Sequence, residues 1–137
     1  MTANERHNRR DEIISLKHRG WGFNVPAVDI DFLMIEYDQS IPKALIEYRH
    51  LNGSVRVDAS IKALIALGDM AKLPFFVVQY YYDTDNGKLW KPATVDTPAH
   101  FRIIPMNQHG EPHANSADWL TEDEYRKWLH QIRGRNI

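Results

Sequence analysis

Val25 to His50 reads VPAVDIDFLMIEYDQSIPKALIEYRH, and its reading decides the fold. Two apolar runs, Asp29–Tyr37 and Ala44–Arg49, flank a turn signal at Asp38–Pro42. The short connection predicts an antiparallel hairpin. Phe32, Leu33, Met34 and Ile35 run without a polar break, as in a strand covered on both sides. On strands of this kind Asp29 and Asp31 share one face, and Leu45, Glu47 and Arg49 share another. Ala44, Ile46 and Tyr48 then point the opposite way. Carboxylates set within apolar strands are costly to bury. Holding a hard divalent cation through oxygen is the use that fits them best.

Working outward, residues 5–18 predict a helix, ended by Gly20-Trp-Gly22. Its apolar stripe is short, and Arg6, Arg9, Arg10, Lys17 and Arg19 make it basic. They form either a solvated face or a phosphate-contacting arm. Downstream, Asn52-Gly53 marks a turn. Asp58 reads as the N-cap of a helix reaching Lys72, with Ile61, Leu64, Ile65, Leu67 and Met70 at helical spacing. Phe75–Tyr82, FFVVQYYY, predicts a central strand. A right-handed crossover through the middle helix should connect it to the hairpin. Asp83–Gly87 predicts a turn, Lys88–Val95 a further strand and His100–Pro105 another. Asp83 and Asp85 resemble the start of a calcium loop, but Gly87 and Thr94 fall where that loop needs ligands. Met106–Asp118 reads as a polar loop. Thr121 and Glu124 form a capping box for a last helix, with Tyr125, Trp128, Leu129 and Ile132 on one face.

The chain has 137 residues, a single-domain length, with 43% hydrophobic and 26% charged residues and a net charge of -1. No global basic excess advertises nucleic acid, so such binding must come from a local patch. The absence of cysteine excludes disulfides, thiolate metal sites and a cysteine nucleophile, and suits a cytoplasmic setting. No apolar run approaches the ~20 residues that span a bilayer, and the charged N-terminus has no apolar signal core, so no membrane association is expected.

The element order and the carboxylates together resemble the PD-(D/E)xK nuclease superfamily, which includes restriction endonucleases, archaeal Holliday-junction resolvases and small phage nucleases. Val28-Asp29-Ile30-Asp31 resembles the first acidic motif and Ile46-Glu47-Tyr48-Arg49 the (D/E)-x-K motif. Leu73–Val78 resembles the next core strand. The resemblance covers residues 9–90 of one domain spanning 1–137, with 94–137 as an extension. It implies an α/β fold with a restriction-endonuclease-like three-layer core, a mixed sheet flanked by helices. It also implies a Mg²⁺- or Mn²⁺-dependent phosphodiester hydrolase acting on DNA, selective for structure over sequence. Asp31, Glu47 and Arg49 are its expected catalytic residues. Asp29, Asp31, Glu47 and the backbone carbonyl of Tyr48 are its expected metal ligands. Both aspartates are candidates for the motif acid, and Asp31 is preferred as the deeper in the strand.

Two departures stand out. The motif proline is displaced to Pro26, and the motif lysine is Arg49. Arginine can hold phosphate oxygens but, with a pKa above about 12, hardly serves as a base. Lys43 lies six residues earlier on the same strand, about 20 Å away. Lys62 on the middle helix is another displaced candidate, and Glu12 on the first helix a further auxiliary acid. The first helix would supply DNA contacts through Arg6, Arg9, Arg10, Lys17 and Arg19. A homodimer is the expected assembly. The alternative is a nuclease-fold module with impaired catalysis that binds nucleic acid or a protein partner.

Overall fold

The computed structural model describes residues 12–21, 27–36, 38–51, 56–85, 92–115 and 118–134. They form an α/β unit built on a five-stranded mixed sheet. Its elements are α1 (Glu12–Gly20), β1 (Phe32–Glu36), β2 (Ile41–His50), α2 (Ala59–Ala71), β3 (Phe75–Tyr82), β4 (Ala99–Pro105), β5 (Leu120–Thr121) and α3 (Glu122–Arg133). Spatial order follows chain order, β1-β2-β3-β4-β5. The β2–β3 pair is parallel and joined through α2; every other pair is antiparallel.

The hairpin forms as the sequence predicts, with different limits, but β1 is an edge strand and its Phe32 and Leu33 are exposed, not covered on both sides. β1 is shorter than Asp29–Tyr37: it begins at Phe32, so Asp29 and Asp31 sit in its approach and the alternation rule does not govern them. Tyr37 lies outside the described residues. β2 is longer than Ala44–Arg49, because the turn closes within Asp38–Ser40. Ser40 adopts a left-handed φ of 55° there. Met34 pairs with Ala44 but Ile35 with Pro42, so Lys43 is the extra residue of a bulge.

β3 is central. Phe75, Phe76, Val77 and Val78 are all buried, which explains the unbroken apolar run. They serve two cores alternately. Phe75 and Val77 pack with Leu45 and with Ile61 and Leu64 of α2. Phe76 and Val78 pack with Ala44, Ile46 and Ile103 and with Tyr125, Trp128 and Ile132 of α3. The sheet is thus the middle of three layers.

α2 begins where its cap predicts: the Asp58 carboxylate accepts from the Ile61 amide at 2.9 Å. It ends at Lys72, whose left-handed φ of 56° turns its amide back to Gly68 and Asp69. Its buried face is narrower than the apolar spacing predicts, since Met70 is 84% exposed. Gly68 occupies that face instead. A Cβ there would stand 2.9 Å from Asn107 Nδ2 and 3.1 Å from the Leu73 carbonyl. Asn107 is the polar anchor of the following loop: its side chain accepts from the Phe75 and Gly110 amides and donates to the Leu73 carbonyl. α3 carries the full capping box, with Thr121 accepting from the Glu124 amide and Glu124 from the Thr121 amide.

Three further differences separate sequence from structure. The described part of the first helix runs to Gly20, two residues beyond the predicted end at His18; residues 5–11 lie outside the description. The strand predicted over Lys88–Val95 is not found at 92–95, which form an irregular segment and the start of a turn, while 86–91 are not described. Leu120–Thr121 adds a two-residue edge strand that the sequence analysis placed in no strand.

Candidate functional site

The acids of the hairpin meet at the start of β1. The Tyr48 amide donates to Asp31 Oδ2 at 3.0 Å, which fixes the approach to β1 against the end of β2. The amide and carbonyl of one strand residue leave toward the same neighbour. The Tyr48 carbonyl therefore faces the edge where Asp31 sits. Glu47, the preceding residue, turns toward the α2 layer with Leu45, and its carboxyl lies within hydrogen-bonding reach of that of Asp31.

Arg49 completes the group. Its Nη2 stands 3.1 Å from Glu47 Oε1, and both side chains are largely withdrawn from solvent. Its Nε is buried and has no hydrogen-bond partner among the described residues. Burial pushes the Glu47 carboxyl above its usual range, and the negative charge of Asp31 adds to the shift. Arg49 opposes that shift, and Asp58 at the α2 N-cap contributes a smaller push upward. Beside this group, Arg49, Arg56, Val57 and Asp58 line an open cleft of about 430 Å³.

The other predicted residues scatter. Asp29 turns to Arg19, 3.8 Å away at the surface, so of the two aspartates it is Asp31 that reaches Glu47. Asp29, Arg19, His18 and Ser60 instead border a separate cleft of about 360 Å³ between α1 and the start of α2. Lys17 is exposed on α1, Lys62 is exposed on α2, and Lys43 occupies the β2 bulge. Arg6, Arg9, Arg10 and the side chain of Glu12 lie outside the described residues.

Chemically, two adjacent carboxyls repel when both are ionised, and the arrangement calls for a proton or a cation between them. Arg49 offsets part of that charge and cannot supply a proton-accepting nitrogen. A hard cation such as Mg²⁺ suits this donor set, since it is commonly held by one or two carboxylates with waters and phosphate oxygens completing the shell. Among the described residues no group of three or more His, Cys, Asp or Glu side chains is placed to hold a metal. The protein donors would then be Asp31, Glu47 and the Tyr48 carbonyl.

One neighbour escaped the sequence analysis. Gln79 is buried on β3 in register with Arg49, and the signal was there: it is the one non-aromatic polar residue in FFVVQYYY. Asp83 and Asp85, read as turn residues once the calcium-loop pattern failed, each hold a histidine at 2.7 Å, His100 and His50 respectively.

Compared with protein-family models, curated proteins and solved structures, the chain matches none. Among the described residues no helix is long and apolar enough to cross a membrane.

Proposed function

We propose that the protein is a Mg²⁺- or Mn²⁺-dependent phosphodiester hydrolase acting on DNA through Asp31, Glu47 and Arg49. The observation that carries this reading is the approach of the Asp31 carboxyl, held just before β1 by the Tyr48 amide, to the Glu47 carboxyl on β2, with a guanidinium 3.1 Å from the second. It fits the PD-(D/E)xK resemblance, with arginine where the motif has lysine.

In this reading Asp31 and Glu47 hold the cation, with the Tyr48 carbonyl as a further oxygen. The cation supplies positive charge at the scissile phosphate and lowers the pKa of an attacking water. Arg49 binds a non-bridging phosphate oxygen from beside Glu47 and steadies charge that develops during displacement. The Tyr48–Asp31 hydrogen bond positions one carboxylate so that the other need not move. Arg56 on the adjoining cleft and the basic residues of α1 guide the phosphate backbone. A cytoplasmic location and a C2 dimer that sets two sites against two strands belong to the same proposal.

A second reading rests on Arg49 itself. A guanidinium stays protonated, so the site has a phosphate binder where the motif has an amine able to shift its pKa. The fold would then serve as a module that binds nucleic acid or a protein partner without cutting. Incubation with Mg²⁺ or Mn²⁺ and plasmid, linear and branched DNA, beside a Glu47→Ala control, separates the two. Cleavage that vanishes in the variant supports the hydrolase. No cleavage of any substrate, together with no Mn²⁺ binding by calorimetry, supports the module.

A further inference from the structure

The opposite face of the sheet carries a second feature. α3 lies over one part of this face, and Tyr125 marks the border, its hydroxyl 2.7 Å from that of Tyr48. Beyond it, Tyr48, Tyr80, Tyr82 and Phe101 gather around an open cleft of about 300 Å³ beside Ala99. Strand register explains the grouping. Tyr80 and Tyr82 alternate to one face of β3, Phe101 is the partner of Tyr80 across β4, and small Ala99 is the partner of Tyr82.

The rings do not form a flat platform. Tyr80 stands at 75° to Tyr48 with centroids 6.3 Å apart, and at 67° to Tyr82 with centroids 5.5 Å apart. Steeply inclined rings cannot all stack on one planar guest. The cleft beside them suits a compact one.

The electrostatic setting is negative. Among the described residues no lysine or arginine lines the cleft. Asp85 lies next to the rings: its carboxylate accepts from the Tyr82 amide at 2.8 Å, and the His50 ring that it holds at 2.7 Å packs edge-on against Tyr80. The Asp85 carboxyl is held below its usual range by the Tyr82 amide and by His50, which keeps it ionised at neutral pH. Aromatic faces attract cations through their quadrupoles, and most strongly when the cation sheds water easily.

We propose that the cleft between Tyr48, Tyr80, Tyr82 and Phe101 binds a compact organic cation, the trimethylammonium headgroup of a free small molecule. A quaternary ammonium has no hydrogen-bond donor to satisfy, so rings alone can line its site. A primary amine would need acceptors that the lining does not offer beyond the tyrosine hydroxyls. Asp85, bound to the Tyr82 amide and paired with His50, supplies charge without direct contact. The cleft lies across the sheet from the Glu47 side chain, which alternates to the opposite face of β2 from Tyr48.

Choline is the probe, and its neutral carbon isostere, 3,3-dimethylbutan-1-ol, is the control. Calorimetry and NMR of the full chain should show saturable choline binding that shifts tyrosine ring signals, with the isostere at least about tenfold weaker. Tyr80→Leu and Tyr82→Leu, which keep apolar bulk but remove a ring, should each weaken choline by roughly five- to tenfold. Tyr82→Phe keeps the ring and should keep the affinity. Glu47→Ala should leave choline binding unchanged, so failure here and failure of the hydrolase reading are told apart. The proposal is overturned if choline and the isostere bind alike, if choline shows no saturation at millimolar concentrations, or if the folded leucine variants bind as the parent does. A trimethyl-lysine peptide that binds far more tightly than choline would overturn the small-molecule assignment.

Discussion

The Tyr48 amide donates to the carboxylate of Asp31 at 3.0 Å, across seventeen residues of chain. This bond brings an acid that precedes β1 alongside Glu47 of β2. Asp31→Asn places an amide where the carboxylate accepted, and Asp31→Ala removes the acceptor altogether. Both should lower Mg²⁺-dependent cleavage by at least about a hundredfold. Only the alanine variant should also lose protection of the Tyr48 amide in hydrogen exchange.

Glu47 links the site to pH. Its carboxyl is raised above its ordinary 4.5, by burial and by Asp31. The folded chain therefore keeps this proton where the unfolded chain has lost it. The contribution to stability is full below the unfolded value and fades as pH rises through the folded one. Glu47→Gln should accordingly melt at a higher temperature than the parent at neutral pH, with the gap closing toward about pH 4. Mg²⁺ or Mn²⁺ should raise the melting temperature of the parent at neutral pH and not that of the variant.

Arg49 decides between the two functional readings. Arg49→Lys should retain or raise cleavage if this residue stands in the place of the motif lysine. Arg49→Ala should reduce it by about a hundredfold, since a charged hydrogen-bond donor aimed at the transition state is lost. Undiminished cleavage by Arg49→Ala would remove this residue from the mechanism.

Gly68 sets helix propensity against packing. Alanine is the better helix former by about 1 kcal/mol. At this position, however, the added methyl meets Asn107 Nδ2 and the Leu73 carbonyl, two members of the network that anchors the loop after β4. Packing wins, and Gly68→Ala should destabilise by about 1–3 kcal/mol in denaturant melts. Asn107→Ala, which strands the buried Phe75 and Gly110 amides, should cost about 2–3 kcal/mol.

Much of this architecture is legible in the sequence because short-range signals state it directly. Asp58 and the Thr121–Glu124 pair mark helix starts that the structure reproduces, and FFVVQYYY matches β3 residue for residue. The meeting of Asp31 with Glu47 was legible as two acidic segments on one hairpin. The separation of Asp29 was not, because alternation applies only within a strand and β1 starts one residue after Asp31. Met70 misled for a similar reason: helical spacing places it near the apolar face, but that face ends at Gly68 and the Leu73 turn. The aromatic cleft was invisible as such. Tyr48, Tyr80, Tyr82 and Phe101 come from three strands, and only the register of those strands puts them together.

β3 sends Phe75 and Val77 to one core and Phe76 and Val78 to the other. Neither helical layer can keep its packing if this strand leaves the sheet. Partial opening of β3 therefore forfeits both sides at once, and the chain has no route to a half-melted state that spares one of them. A single sharp calorimetric transition follows, with the backbone amides of β3 exchanging with solvent only at the rate set by complete unfolding.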